Sequence, residues 1–179
     1  GAAGSTTTVT DASLLVNYVY LDTDERRRFA QVSHEYLIEQ VQYTGLESLT
    51  ISAVNKVRLN YNHPVKLIAW RVYTSVLSLA KLQLNGHDRF AERNADYFHL
   101  VQPMEHGMGH QNVLVEATRT YTAVARHTAA SAQNTFMFSF CLKPKEHQPS
   151  GTCNFSRIDN AILQLTEAGT AAGTAAIFA

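Results

Sequence analysis

An all-β, antiparallel sandwich or barrel is the fold class that this 179-residue sequence predicts. Three observations carry the prediction. Most segments alternate apolar and polar residues with period two, the mark of a strand with one buried face. The apolar stretches are short and separated by turn residues, as in sandwiches and barrels. One stretch, FMFSFCLK, places Phe136, Phe138, Phe140 and Leu142 on one side and Met137, Ser139, Cys141 and Lys143 on the other.

The elements follow in order. LLVNYVYL (Leu14–Leu21) is rich in β-branched and aromatic residues and reads as a strand. DTDERRRFAQVSHEYLIEQV reads as a helix: Asp22 with Glu25 three residues on resembles a capping box, and Phe29, Val32, Tyr36 and Val41 fall on one stripe. In KVRLNY, Val57, Leu59 and Tyr61 share a side. After the break at Asn62-His63-Pro64, Ile68, Trp70 and Val72 share a face of VKLIAWRVY. SVLSLAKLQLNG is a strand ending in the turn signal Asn85-Gly86. DRFAERNADYFHLV predicts a second helix with Phe90, Tyr97, Phe98 and Val101 on its stripe. QNVLVEATRTYTAV is a weaker strand, and NAILQLT closes the series. The tail EAGTAAGTAAIFA reads as a loop leading to an apolar end at Ile177-Phe178.

The totals narrow the function. The chain is long enough for one domain with a real core. Fifteen basic residues balance fifteen acidic ones, so no net charge draws it to nucleic acid or anionic lipid. At 17% the charged fraction is below the usual quarter, as in a protein that buries surface against partners. No apolar run reaches the ~18 residues of a membrane span. GAAGSTTTVT does not read as a signal peptide. Two cysteines, Cys141 and Cys153, make no disulfide framework and are read as free thiols.

Several longer strings carry a resemblance. LDTDERRRFAQVSHEYLIEQVQ, NHPVK, LQLNGHDRFAER, DYFHLVQP and LKPKEHQPSGTCNFSRIDNA are similar to the major capsid proteins of large icosahedral double-stranded DNA viruses, in that family's order. That family includes the shell proteins of iridoviruses, phycodnaviruses and African swine fever virus. The resemblance runs from Leu21 to about Leu165, with a divergent stretch from Glu105 to Asn134. It implies a double jelly roll, three copies of which form a pseudo-hexagonal capsomer. On this reading residues 1–31 hold the last strand of the first jelly roll and a linker helix at Asp22–Ala30. Residues 32–179 form the second jelly roll, incomplete at its C-terminus, since the chain is far shorter than its family. The shortened linker helix conflicts with the stripe running on to Val41. HEYLIEQVQY also reads as a strand, and the resemblance is preferred.

The chemical candidates gather in KPKEHQPSGTCNFSRIDNA. His147 with Cys153 would suit a nucleophile pair only in hydrogen-bond contact, and neither cysteine has flanking basic residues that would activate it. Glu105, His106 and His110, with His99 and His87 upstream, could hold a metal only on a helix, and Gly107 and Gly109 argue against one there. His34-Glu35 lacks the second histidine of H-E-x-x-H. Asn154-Phe155-Ser156 is a glycosylation sequon, a short pattern that is common by chance. DERRR is a mixed charge run at a helix start, without the aromatic interleaving of a nucleic-acid face.

The stretch is therefore read as a β corner. Pro144 and Pro149 interrupt pairing, Ser150-Gly151 turns the chain, and Asn154, Ser156 and Asp159 bond to local backbone. Arg157 and Asp159 are expected to pair. No catalytic, cofactor-binding or metal-ligating residue is assigned, and no cofactor.

The resemblance implies a structural protein, a homotrimer that meets neighbouring capsomers and minor capsid and penton proteins in a virion shell assembled in the host cytoplasm. It implies no direct nucleic-acid contact, membrane insertion or small-molecule ligand. The alternative is a jelly-roll lectin-like module, which would want an exposed tryptophan or tyrosine beside clustered Asp or Asn. Trp70, the only tryptophan, lies in an apolar strand.

Overall fold

The computed structural model describes residues 11–73, 75–108, 135–168 and 172–179. They fall into two compact units, residues 1–38 and 39–179.

In the first unit, residues 11–22 have no regular secondary structure. The stretch Leu14–Leu21, expected as a strand, has no ladder partner among the described residues, and its Leu14, Leu15, Tyr18, Val19 and Tyr20 side chains face solvent. Helix α1 spans Thr23–Gln31. Asp22 is its N-cap, accepting from Thr23 N–H at 2.7 Å, and Asp24 and Glu25 lie in its first turn, where the helix dipole favours acidic groups. The stripe running on to Val41 does not form. The helix ends at Gln31 with Val32 extended, and none of its residues is buried, so no apolar packing supports a longer one. HEYLIEQVQY (His34–Tyr43), also read as a strand, carries no regular element before Tyr43.

The second unit is a sandwich of antiparallel strands. They are β1 (Tyr43–Leu49), β2 (Val54–Arg58), β3 (Pro64–Val65), β4 (Leu67–Tyr73), β5 (Leu77–Leu84), β6 (His87–Asp88), β7 (Arg93–Asn94), β8 (Thr135–Ser139), β9 (Cys153–Asn154), β10 (Ala161–Glu167) and β11 (Gly173–Phe178). One sheet runs β1-β11-β4-β8. The other runs β2-β10-β5-β6, with β7 also on β5, and β3 and β9 form a small ribbon. Several consecutive strands thus go to opposite sheets: β1 then β2, β4 then β5, β10 then β11. This is the jelly-roll order.

The alternation read from the sequence sets the inner faces. Ile68, Trp70 and Val72 of β4 are buried, as are Val57, Leu59 and Tyr61. Leu163 and Leu165 of β10 meet the β4 side chains from the other sheet, with Ala175 and Ile177 of β11 beside β4. Asn85 (φ 51°) and Gly86 (φ 80°) make the two-residue hairpin joining β5 to β6; both left-handed angles suit Asn-Gly. Aromatic rings fill the layer between the sheets. Trp70 packs on Phe136 and Phe98, with centroids 5.9 and 5.3 Å away, and Phe138 packs on Phe90 at 4.6 Å.

From Gly173 to Phe178 the Ala/Gly/Thr-rich tail, expected as a loop, is β11, in the interior of its sheet between β1 and β4. Its small residues suit that place, because Ala175 and Ala176 are buried on both sides of the strand. The second helix starts later than predicted: a π-helical turn at Tyr97–Val101 runs into α2 (Gln102–Glu105), while Arg93–Asn94 pairs with β5 instead.

Strand β8 also departs from the expected pattern. Phe136 is buried and Phe138 and Phe140 pack against the core, but Leu142 lies beyond the strand and is 73% exposed. Met137, Ser139 and Cys141, on the opposite side, are buried too. The helical segment covers this edge. Gln102 Oε1 accepts from Ser139 N–H at 3.1 Å, and His99 Nδ1 donates to Thr135 C=O at 2.8 Å.

This geometry separates two residues that alternation placed together. Phe136→Ala should cost ~3–5 kcal/mol, whereas Leu142→Ala should stay within about 0.5 kcal/mol. Urea melts of both variants check it; equal losses would contradict the burial difference.

Candidate functional site

The corner between β8 and β10 is where the sequence concentrated its chemical candidates, and backbone hydrogen bonds hold it. Lys143 N–H donates to Ser150 Oγ at 2.8 Å. Gly151 has φ +131°, and a Cβ there would lie 3.2 Å from Phe140 C=O, so glycine is required. Asn154 Oδ1 accepts from Ser156 N–H at 3.0 Å and caps the 3-10 turn Phe155–Arg157. Ser156 Oγ accepts from His63 N–H at 2.8 Å, and Phe155 N–H donates to His63 C=O at 3.1 Å. Phe155 is the buried anchor, against Tyr61 and Phe140.

The expected Arg157–Asp159 ion pair does not form. Asn85 takes over that corner: its Oδ1 accepts from Asp159 N–H and Asn160 N–H at 3.0 and 3.1 Å. One side chain therefore fixes both the β5–β6 hairpin and the entry to β10. Arg58 donates to Asp159 C=O at 3.2 Å across the same junction.

The reactive groupings do not assemble. Cys153 sits in β9 and makes no hydrogen bond to His147; burial pushes its thiol upward, against a smaller opposing pull from Arg89. A thiol held protonated is a poor nucleophile. Cys141 is buried and both cysteines are free, with Ser139 Oγ beside Cys141 Sγ at 3.4 Å. His99 is a buried histidine satisfied by a carbonyl, and His106 Nδ1 reaches Leu142 C=O at 3.3 Å. Glu105 accepts from Gln102 at 3.3 Å. Among the described residues no three His, Cys, Asp or Glu side chains converge as metal ligands; His110 and the strand expected at QNVLVEATRTYTAV lie outside them. No helix among them is long and apolar enough to cross a membrane. Trp70 is 1% exposed, so it offers no platform for a sugar. The Asn154 sequon is a capped turn with its middle residue in the core.

Two features escaped the sequence reading. The first is a charged clasp. Lys66 Nζ bonds to Glu39 Oε1 and to Glu146 C=O, and His147 Nδ1 lies 3.8 Å from the same Glu39 oxygen. Bonding to Lys66, with its charge and that of His147, holds the Glu39 carboxyl below its ordinary 4.5. No local motif links Glu39 to Lys66; only the fold brings them together. The second is an apolar strip on the outer face of the first sheet. Tyr43 stacks on Phe178 at 4.8 Å with Leu46 nearby, and Arg71 lies over the Tyr73 ring at 5.0 Å. These residues alternate with the buried ones, and the alternation marks the outer face of each strand. The expectation of a loop at the tail hid Phe178.

The described residues form a jelly-roll sandwich whose corners are fixed by backbone hydrogen bonds, the architecture of a β-sandwich structural domain. The chain belongs to the family of large eukaryotic DNA virus major capsid proteins, whose family model matches residues 25–78 and 115–178. That family is one of structural proteins, not enzymes. The major capsid protein of Pyramimonas orientalis virus is 50% identical over 180 residues, covering 92% of this chain and 43% of the relative. The major capsid protein of Paramecium bursaria Chlorella virus 1 is 40% identical over 200 residues, covering 86% and 41%. The quasi-atomic model of the PBCV-1 virus capsid superposes with TM-score 0.68 at 31% identity, covering 89% of this chain and 50% of that one. The chain spans about half the length of the relatives it matches.

Two measurements check this site. Thiol titration in denaturant without reductant should count two per chain, and the native protein should react far more slowly at neutral pH; a count near zero would reveal a disulfide. The Glu39 clasp gives an acid-side dependence. A lowered carboxyl contributes stability above its unfolded-state value and loses it as pH falls through the folded one. Melting temperatures of the parent and Glu39→Gln should therefore differ at neutral pH and converge below pH 4.5.

Proposed function

We propose that this chain is the second sandwich of a double jelly-roll major capsid protein that builds an icosahedral virus shell. The observation that carries the reading is the paired strand order, β1-β11-β4-β8 against β2-β10-β5-β6, in a chain of this family. On this reading residues 1–31 belong with a preceding sandwich, and Leu14–Leu21 is its last strand. The exposure of that apolar stretch supports this, because a strand whose sheet lies elsewhere has no neighbours here. Residues 32–179 are the second sandwich. Three copies form a pseudo-hexagonal capsomer, which meets neighbouring capsomers and minor capsid and penton proteins. The protein resides in the virion shell and is assembled in the host cytoplasm. It acts through apolar burial and shape, without direct nucleic-acid contact, membrane insertion or a small-molecule ligand.

The test is light scattering on the full-length protein, expected to give a trimer mass. A monomer at every concentration, with no capsomers or particles, would overturn the assembly reading.

A further inference from the structure

Strand β10 carries its alternation one step too far. Ala161, Leu163 and Leu165 face the core, and Glu167 continues the same series. The carboxyl is 3% exposed, and neither oxygen has a hydrogen-bond partner. Ser75, between β4 and β5, is 2% exposed, and its hydroxyl is likewise unpartnered. The two groups are neighbours. A Cβ built on Gly173 would lie 2.6 Å from Ser75 Cβ, 2.7 Å from Tyr73 C=O and 2.9 Å from Glu167 Oε1. Backbone bonds hold the place rigid: Glu167 N–H donates to Ala53 C=O at 3.2 Å and Ala168 N–H to Val76 C=O at 2.9 Å.

A buried carboxylate without a partner is among the costliest groups a fold can carry. No hydrogen-bond donor satisfies these oxygens among the described residues. The polar groups that converge on the Gly173 position, the Glu167 carboxyl, the Ser75 side chain and the Tyr73 carbonyl, carry only oxygen. Such a set repels anions and suits a hard cation, which takes carboxylate, carbonyl and hydroxyl oxygens together with water.

We propose that Glu167 and Ser75 form a site for a hard divalent cation of the calcium class, at the end of the sandwich where β4 turns into β5 and β11 begins. Glu167 supplies Oε1 and Oε2, Ser75 supplies Oγ, the Tyr73 carbonyl stands beside them, and water completes the shell. The bound ion joins both sheets, since β10 lies in one and Tyr73 and Gly173 in the other. Gly173 is then required not for its backbone angle but to leave the oxygens their room.

The test uses full-length protein stripped with EDTA, with CaCl2 as the probe and MgCl2 and NaCl at matched ionic strength as controls. Calcium should raise the melting temperature by several degrees and give a saturable calorimetric isotherm. Glu167→Gln should abolish both, and Ser75→Ala should weaken binding about fivefold, the loss of one neutral ligand. Melting temperatures equal in calcium and EDTA, with no binding heat, would overturn the proposal. So would a calcium response that survives Glu167→Gln, which would place the ion elsewhere. If Glu167→Gln does not fold, the Ser75→Ala isotherm decides: an unchanged affinity overturns the site.

Discussion

Neither sheet of this sandwich is continuous until the last two strands arrive. β10 lies between β2 and β5, and β11 between β1 and β4. Without them the other strands are separate edges with half-empty cores, because Leu163, Leu165, Ala175 and Ile177 supply the central apolar layer. Loop closure over most of the unit must come before these contacts form, which makes the topology one of high contact order and slow, all-or-none assembly. The sequence composition of each strand follows from this. β10 is flanked on both sides and faces the core with leucine. β11 sits between two strands and under its own sheet face, and its alanines and glycine fit where larger residues would crowd.

Rings give the sandwich its second level of order. Phe138, Phe90, Phe98, Trp70 and Phe136 pack in series, and Phe138, Phe140, Phe155 and Tyr61 continue toward the corner. At the far end Tyr61 donates its hydroxyl to Ile177 C=O at 2.7 Å, and burial pushes that phenol up to about 12. A side chain that long, bonded to β11 from the β2–β3 connection, tethers the two sheets to each other. The corner loop thus needs no catalytic role to explain its polar residues. Asn85, Asn154, Ser150 and Ser156 each satisfy backbone groups of a chain that has left its ladder, where no other donor or acceptor is at hand.

What could be read from the sequence was what is local. Alternation located β4, β5, β8 and β10, and the turn chemistry of Asn85-Gly86 and Ser150-Gly151 was visible in the residues themselves. The jelly-roll order came from resemblance, since periodicity cannot say which strands pair. The failures share a cause. A strand in the middle of a sheet and under cover can be built from alanine and glycine, so EAGTAAGTAAIFA looked like a loop. A ring-rich segment whose Arg93–Asn94 pairs with β5 looked like a longer helix. Leu142 kept the strand's parity after the strand had ended. Arg157 and Asp159, two positions apart in sequence, invited a pair, but Asn85, 74 residues away from Asp159, holds that corner instead. Glu167, placed by the sequence reading in the tail after NAILQLT, instead ends β10 and continues the parity of Leu163 and Leu165.

The outward-facing residues show how such a sandwich can meet neighbours without fusing to them. Two of its end strands, β1 and β2, carry unpaired backbone of the kind that templates open-ended stacking. β1 is broken by a shift of register between Tyr43 and Leu46, with Gly45 at φ +115°, and it carries Glu47. β2 is five residues long and carries Lys56 and Arg58. Short, bulged and charged edges resist strand addition. The exposed apolar area lies instead on a face, where Tyr43 stacks on Phe178 beside Leu46, and a face can bury side chains against a shaped partner only in one register. A protein that must tile a closed surface needs contacts of that second kind, because edge pairing propagates without limit whereas matched faces close. The short, charged β1 and β2 edges and the apolar face favour contacts of that second kind.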